Sequence, residues 1–186
     1  MRIFAYPEIY KETAADNLGI MFDYGVNCCG LAPDELMGWF VESGDAHQFE
    51  CGSPRVLRGM SGTELCWDIL RKLGRPEPVA EYPVSMYRSP EYWAGWVLAQ
   101  YQWYSNQKFE DIQSCFKFSD LVKAYYPLHE AHEQKTFRML DGKMLAGGFE
   151  LYNRINDRGE IEHLKELPQV SYAFNKDCSL EKERGL

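Results

Sequence analysis

Residues Ser89 to Ser105 read SPEYWAGWVLAQYQWYS, and this stretch decides the fold. Ser89 is a preferred N-cap residue, and Pro90 follows at the first helical position, where its missing N–H costs nothing. Glu91 then places a carboxylate in the first turn, where the helix dipole favours negative charge. These three residues predict a helix that begins at Pro90.

Two adjacent faces of this helix are apolar. The first carries Tyr92, Trp96, Ala99 and Trp103, and the second carries Trp93, Val97 and Tyr104. A helix that is apolar around most of its circumference is buried, so we expect Tyr92, Trp93, Trp96 and Trp103 to form the structural core. Gly95 and Ala99 are small and one turn apart, which allows a neighbouring helix to approach closely. The alternative is that the rings form a stacking platform for a base or a sugar.

The composition indicates a single folded domain. The chain has 186 residues, of which 45% are hydrophobic and 15% aromatic, enough for a sizeable core. No apolar run reaches the roughly 18 residues of a membrane span, and the amino terminus lacks the features of a signal peptide. We therefore expect a cytoplasmic protein with no membrane contact. The six cysteines form no C-x-x-C pair and are expected to be reduced.

Negative charge is concentrated at the start of the chain. The net charge is −8 overall, and residues 1–50 hold nine acids but only two bases. Such a segment attracts a basic protein surface and disfavours non-specific DNA binding, which depends on Lys and Arg neutralising phosphates. The predicted partner-binding residues are Asp16, Asp23, Glu35, Glu42 and Asp45. The alternative is a solvated acidic face that only aids solubility.

Apolar periodicity and capping signals predict further helices. Ser61 and Glu64 have the spacing of a capping box, and Gly74 is placed to end the helix that follows. The predicted helices are 7–29, 33–44, 62–73, 108–116, 119–126 and 129–144. Between the third and the central helix, residues 75–88 contain three prolines and are predicted to be an extended connection. Its apolar residues, expected to pack against the protein, are Val79, Tyr82, Val84 and Tyr87.

The character of the sequence changes at Gly147–Gly148. Residues 149–155 and 160–167 flank Asn-Asp-Arg-Gly, a pattern typical of a β-hairpin, and residues 170–174 are a candidate third strand. The predicted fold class is therefore mainly α, or α+β overall. A compact helical domain over 1–146 surrounds the buried tryptophan-rich helix, and 147–186 form a hairpin appendage with a frayed tail.

Only one stretch clusters potential metal ligands. His129 and His132 lie three residues apart, whereas the histidines of the zinc-protease motif lie four apart around a catalytic glutamate. They are weak candidates that need a third ligand from elsewhere. The sequence has no serine-nucleophile elbow and no glycine-rich phosphate loop. We therefore expect no catalytic residues, no cofactor and no bound metal.

Several motifs resemble a family of small proteins from gut Clostridia and their mobile elements. The matching stretches are YPEIY…LGIMFDY (Tyr6–Tyr24), MGWF (Met37–Phe40), GMSGTEL (Gly59–Leu65), SPEYWAGWVLAQYQWYS (Ser89–Ser105) and YYPLHEA (Tyr125–Ala131). The resemblance covers about residues 1–140. Relatives continue into a helix-turn-helix domain, from which this chain departs at its hairpin. The resemblance implies an accessory function of phages or mobile elements, including anti-CRISPR proteins that bind Cas9.

Charge and resemblance together lead to one functional hypothesis and two alternatives. The hypothesis is a non-enzymatic anti-CRISPR protein whose acidic surface competes for the positively charged nucleic-acid channels of Cas9. The first alternative is an antitoxin-like or regulatory partner from a toxin–antitoxin locus. The second is a small metal-dependent hydrolase that uses His129 and His132. The sequence makes no prediction of oligomeric state.

Overall fold

The computed structural model describes residues 4–78, 80–83 and 88–165. The helices are α1 (Lys11–Asp23), α2 (Pro33–Glu42), α3 (Asp45–Glu50), α4 (Gly62–Lys72), α5 (Pro90–Ser105), α6 (Phe109–Cys115), α7 (Phe118–Lys123), α8 (Tyr125–Leu128) and α9 (Glu133–Ala146). The strands are β1 (Asn153–Ile155) and β2 (Ile161–His163). The protein is thus mainly helical with a small antiparallel sheet, which confirms the predicted fold class.

The helix α5 is the centre of the fold and packs along α1 over most of its length. A close approach at two glycines makes this contact possible. A Cβ atom on Gly95 would lie 2.6 Å from the carbonyl oxygen of Leu18, and one on Gly19 would lie 2.9 Å from the carbonyl oxygen of Tyr92. The side of α5 that carries Gly95 is therefore in direct contact with the α1 backbone, as the small residues predict.

Local capping signals set the ends of α4 and α5. Ser89 accepts a hydrogen bond from the Tyr92 N–H at 3.0 Å, so α5 begins at Pro90 as predicted. The capping box before α4 is formed, with the Ser61 N–H donating to Glu64 at 2.8 Å. After α4, Gly74 adopts a φ of +64°, a left-handed conformation that favours glycine.

The predicted helix 7–29 is built from three kinds of turn. A 3-10 turn at Glu8–Tyr10 leads into α1, and a π-helical turn at Tyr24–Cys28 continues from it. A second π-helical turn, Arg55–Gly59, precedes α4. Apolar periodicity marks the extent of such a helix but does not distinguish its hydrogen-bonding pattern.

The predictions for the helices after α6 need correction. The helix predicted over 119–126 is two helices, α7 and α8. The helix predicted from 129 begins only at Glu133, because His132 has an extended backbone and caps the amino terminus of α9 through its ring nitrogen. Residues 129–132 are therefore a turn that connects α8 to α9.

The core is aromatic, but it does not contain all the tryptophans of α5. Trp103 is 4% exposed and donates to the Tyr6 carbonyl oxygen at 2.9 Å, and Tyr92 is 5% exposed. Trp93 and Trp96 only pack against the edge of the core and keep part of their surface in contact with solvent. The prediction that all four residues form the core is thus wrong for Trp93 and Trp96.

The hairpin is shorter than predicted and packs against the helices. Its register pairs Asn153 with His163 and Ile155 with Ile161. The side chain of Asn153 donates to the Tyr104 carbonyl oxygen at the end of α5, and Ile155 belongs to the core. The candidate strand 170–174, the tail, and the packing of Val79, Val84 and Tyr87 lie outside the described residues.

Candidate functional site

The structure separates the five predicted partner-binding carboxylates into three environments. Glu35 and Glu42 are exposed on α2. Asp16 and Asp23 lie on α1 and accept hydrogen bonds from side chains near the start of α5. Asp45 is buried. The five residues therefore do not form a single exposed surface.

Asp45 has to be removed from the predicted contact surface. Its side chain is 0% exposed and lies 2.7 Å from Lys72 Nζ and 3.7 Å from Arg55 Nη1. Burial raises the pKa of Asp45, and the Lys72 ammonium only partly offsets this shift. Asp45 stabilises the junction between α3 and α4 and is not available to a partner.

Asp16 and Asp23 connect α1 to the segment that leads into α5. The Tyr92 hydroxyl donates to Asp16 at 2.5 Å, and Arg88 lies 3.8 Å from the same carboxylate. Asp23 accepts from the Ser89 hydroxyl at 2.6 Å and from the Tyr82 hydroxyl at 2.7 Å. Both carboxylates thus have a structural role, although the Asp16 side chain is still 46% exposed.

Four glutamates make the exterior of the first two helices acidic. Glu35 and Glu42 are seven residues apart on α2 and therefore lie on one face of that helix. Glu8 precedes α1, Glu12 lies in its first turn, and both are exposed. Among the described residues, no cationic side chain lies within salt-bridge distance of any of the four.

The only Lys or Arg between residues 4 and 50 does not neutralise this exterior. Lys11 points away from it, with Nζ 5.0 Å from the centre of the Trp103 ring and 3.8 Å from Glu133 on α9. Its side chain is 18% exposed. The charges of Glu8, Glu12, Glu35 and Glu42 therefore remain exposed on α2, on α1 and on the turn before it.

A second feature is an aromatic groove of about 480 Å³ between α5, α8 and the start of α9. We call it the α5 groove. Its lining includes Arg88, Trp93, Trp96, Tyr125, His129 and His132. The Trp93 and Tyr125 rings meet edge to face, with centroids 5.8 Å apart. The alternative interpretation of the α5 rings as a platform points to this region, but Arg88 and Tyr125 were not predicted. The available signal was the i,i+3 spacing of two tryptophans on one helix.

The two candidate metal ligands, His129 and His132, are held by hydrogen bonds of their own chain. His129 stacks on Tyr125 at 4.2 Å, and its Nδ1 lies 2.9 Å from the Tyr125 carbonyl oxygen, which requires a proton on Nδ1. His132 accepts at Nδ1 from the Gln134 N–H at 3.4 Å. Within residues 4–78, 80–83 and 88–165, no group of three His, Cys, Asp or Glu side chains has a geometry that could hold a metal ion.

Two further findings concern the described helices and cysteines. None of these helices is long and apolar enough to cross a membrane. The described cysteines are free thiols, namely Cys28, Cys29, Cys51, Cys66 and Cys115. Burial raises the pKa of the Cys66 thiol to about 12. A thiol with that pKa is protonated at neutral pH and is a poor nucleophile.

Comparisons of the chain with protein-family models, with curated proteins and with solved structures give no match. The resemblance to the mobile-element family therefore stays a prediction. The function is inferred from the acidic exterior described above.

Proposed function

We propose that the protein is a non-enzymatic binding protein whose acidic exterior docks on a cationic surface of a partner protein. The acidic exterior consists of Glu8, Glu12, Glu35 and Glu42. One observation carries the proposal: these four carboxylates are exposed, and Lys11, the only Lys or Arg between residues 4 and 50, is turned toward Trp103 and Glu133. Charge of one sign on two helices that follow one another in the chain suits a partner of opposite sign.

The partner that we propose is a nuclease of the host defence, with Cas9 as the specific candidate. Cas9 holds its guide–target duplex in a positively charged channel and reads the adjacent motif through arginines. A protein with an anionic exterior that occupies such a channel in the bacterial cytoplasm competes with the nucleic acid. On this proposal the protein is an anti-CRISPR protein.

The expected contribution of the acidic exterior is mainly to the rate and specificity of association. Exposed ion pairs are each worth only about 0–1 kcal/mol, because water and salt screen them. Several carboxylates acting together accelerate the encounter and exclude acidic partners. Apolar contacts made after the encounter have to supply the remaining affinity.

The test is inhibition of DNA cleavage by purified Cas9–guide complex. The Glu35→Lys/Glu42→Lys variant is expected to inhibit at least about tenfold less well than wild type, because attraction on α2 becomes repulsion. Glu110→Lys/Asp157→Lys is the matched control, since both residues are exposed and lie outside the first fifty residues. Glu110 also lies in the first turn of its helix, as Glu35 does.

The control variant is expected to inhibit as wild type does, and circular dichroism has to show the same helix content for all three proteins. An equal loss of inhibition in the two variants would mean that inhibition depends on the net charge of the protein and not on the position of Glu35 and Glu42. Wild-type protein that leaves cleavage unchanged would refute the nuclease as partner.

A further inference from the structure

We propose that Cys51 is a modification site whose thiol, activated by His47, forms a mixed disulfide with a low-molecular-weight disulfide. His47 and Glu50 lie on α3, and Cys51 directly follows that helix. This inference is independent of the acidic exterior, which consists of other residues on α1, on α2 and on the turn before α1.

The first argument is the contact between a thiol and an imidazole. The Cys51 Sγ lies 3.6 Å from Nε2 and 4.0 Å from Nδ1 of His47. The two residues are four apart, so the last turn of α3 brings their side chains together. A cysteine reacts as its thiolate, and an adjacent imidazole that takes up the thiol proton is an arrangement that activates cysteine nucleophiles. His47 is therefore in position to act as the base for Cys51.

The second argument is that a carboxylate holds His47. The Oε2 atom of Glu50 lies 3.6 Å from the His47 Nδ1, and its Oε1 atom accepts a hydrogen bond from the Phe109 N–H at 2.7 Å. The Glu50 side chain is 14% exposed, whereas that of His47 is 63% exposed. A carboxylate beside one ring nitrogen stabilises the imidazolium that forms when the ring accepts a proton. Glu50 therefore favours transfer of the thiol proton to His47.

The groups that surround this cluster are consistent with that transfer. Burial raises the pKa of Glu50, whereas a backbone N–H, His47 and Lys108 favour its ionised form. Burial also raises the pKa of the nearby Tyr6 phenol, which is therefore neutral. Transfer of the proton from Cys51 to His47 thus places the new positive charge between the Glu50 carboxylate and the thiolate.

The other charged groups that follow from elements next to α3 are paired with one another. Arg55 lies 2.7 Å from Asp68 and 3.7 Å from Asp45. Lys72 lies 2.7 Å from Asp45. These ion pairs hold the start of α3 against α4, at the opposite end of α3 from Cys51.

The third argument is that the Cys51 thiol is accessible. Cys51 is the exposed member of the five cysteines that the structure describes. The next residue, Gly52, has a φ of +72°, and a Cβ atom on it would lie 2.8 Å from the Cβ atom of Tyr6. The backbone after Cys51 therefore packs against the protein while the thiol remains at the surface.

The thiols with raised pKa values are a natural comparison. Burial raises the pKa of Cys28 and of Cys29, and it raises that of Cys66 to about 12. Because the thiolate is the reactive form, these three cysteines are poor nucleophiles at neutral pH. We therefore expect a disulfide reagent to select Cys51 over them.

The backbone around Cys51 indicates which reaction the thiol can perform. Acyl transfer needs N–H donors that point at a developing oxyanion. The N–H groups of residues 51–53 instead donate to carbonyl oxygens of α3 at 2.9–3.0 Å. Thiol–disulfide exchange needs no oxyanion donors, because its leaving group is a thiolate. Disulfide exchange is therefore the reaction that this site supports.

The proposed step is a substitution at sulfur. The Cys51 thiolate, after giving its proton to His47, attacks one sulfur of the reagent RS–SR. A bond forms between Cys51 Sγ and that sulfur as the S–S bond of the reagent breaks, and the leaving RS⁻ takes the proton from His47. The reagent is the oxidant, since one of its sulfurs leaves as RSH. Excess RSH reverses the step and restores the Cys51 thiol.

The experiment is the reaction of the folded, full-length protein with glutathione disulfide at pH 7, followed by mass spectrometry of peptides. The rate at each cysteine is compared with its rate in the same chain unfolded in urea, which removes the effect of the fold. We expect Cys51 to react at least about threefold faster in the folded protein, because more of its thiol is ionised. Cys28, Cys29 and Cys66 are expected to react at least about tenfold more slowly than in the unfolded chain.

Two variants separate activation of the thiol from its exposure. His47→Gln keeps a polar side chain but cannot take the proton, so Cys51 is expected to react at about its rate in the unfolded chain. The midpoint of its rate–pH profile should move to higher pH, because the thiolate is no longer favoured. Glu50→Gln keeps an acceptor for the Phe109 N–H but removes the charge beside His47, and it is expected to react at an intermediate rate.

The matched control is Glu110→Gln. Glu110 is exposed in the first turn of α6, next to Phe109, and this variant loses the same charge as Glu50→Gln. It is expected to react at Cys51 as wild type does. Equal slowing in the two glutamate variants would mean that net charge, and not the contact with His47, determines the rate.

Three results would overturn the inference: a Cys51 that reacts no faster in the folded than in the unfolded chain, a wild-type rate in His47→Gln, or equal slowing in Glu50→Gln and Glu110→Gln. The Glu35→Lys/Glu42→Lys variant should react at Cys51 as wild type does. Failure of this proposal and failure of the acidic exterior are therefore distinguishable.

Discussion

At the scale of single residues, Asp141 is a carboxylate buried among aromatic rings. It is 6% exposed and accepts hydrogen bonds from the Tyr101 hydroxyl at 2.9 Å and the Tyr104 hydroxyl at 3.0 Å. Burial raises the pKa of Asp141 to about 6, because the two hydroxyls only partly compensate for the loss of water. Folding therefore favours the protonated form of the Asp141 carboxyl group relative to the unfolded chain.

This pKa predicts how stability depends on pH. A carboxyl group whose pKa is higher in the folded state stabilises the fold below the unfolded pKa of about 4, and loses this contribution as the pH rises through 6. The loss amounts to about 3 kcal/mol for a shift of this size. Asp141→Asn replaces the carboxyl group with an amide that does not titrate and so removes this loss. The free energy of unfolding of the variant should therefore rise relative to that of wild type between pH 4 and pH 7.

Urea unfolding at a series of pH values measures this difference. Other carboxyls with raised pKa values, such as Asp45 and Glu50, are present in both proteins and cancel in the comparison. Asp157→Asn, the same exchange at an exposed position in the hairpin turn, is the control for the exchange itself. A difference between Asp141→Asn and wild type that does not change between pH 4 and pH 7 would show that burial does not raise the pKa of Asp141.

At the scale of elements, the contact between α1 and α5 depends on glycine. Alanine in place of glycine normally stabilises a helix by about 0.5–1 kcal/mol. In Gly95→Ala the new Cβ would lie 2.6 Å from the Leu18 carbonyl oxygen and 3.0 Å from Gly19 Cα, so α1 has to move away. We expect this variant to be destabilised by about 1–3 kcal/mol in urea unfolding.

The matched control is Gly142→Ala in α9. A Cβ atom there has nothing within 4 Å, so only the helix propensity acts and the variant should be slightly more stable than wild type. Destabilisation of both variants to the same extent would mean that the close approach at Gly95 does not limit the packing of α1.

The elements could be predicted from sequence where their signals are local. Ser61 with Glu64, and Ser89 with Pro90, define the starts of α4 and α5 within a few residues, and the structure confirms both. The start of α9 was predicted four residues too early, because histidine is not a typical N-cap and His132 acts as one. The π-helical turns were missed because apolar periodicity looks alike in both kinds of helix.

At the scale of the whole molecule, the charge could be predicted but its distribution could not. Composition gives the excess of acids in the first fifty residues. Which of them are exposed depends on distant partners, since Asp45 is covered by Lys72, 27 residues later in the chain. The exposure of Trp93 and Trp96 likewise depends on α8 and α9, which follow them in the sequence. The fold class can therefore be predicted from this sequence, whereas the position of the candidate surfaces depends on the tertiary structure.

The central claim is that the acidic exterior docks on a cationic partner surface. The most direct measurement is the dissociation constant for catalytically inactive Cas9–guide complex as salt rises from about 0.1 M to about 1 M, over which the Debye length falls from about 10 Å to about 3 Å. We predict that wild-type affinity falls by about tenfold or more over this range, and that the affinity of Glu35→Lys/Glu42→Lys is weak throughout and changes little. An affinity that is the same at both salt concentrations, or is unaffected by the two substitutions, would contradict the account.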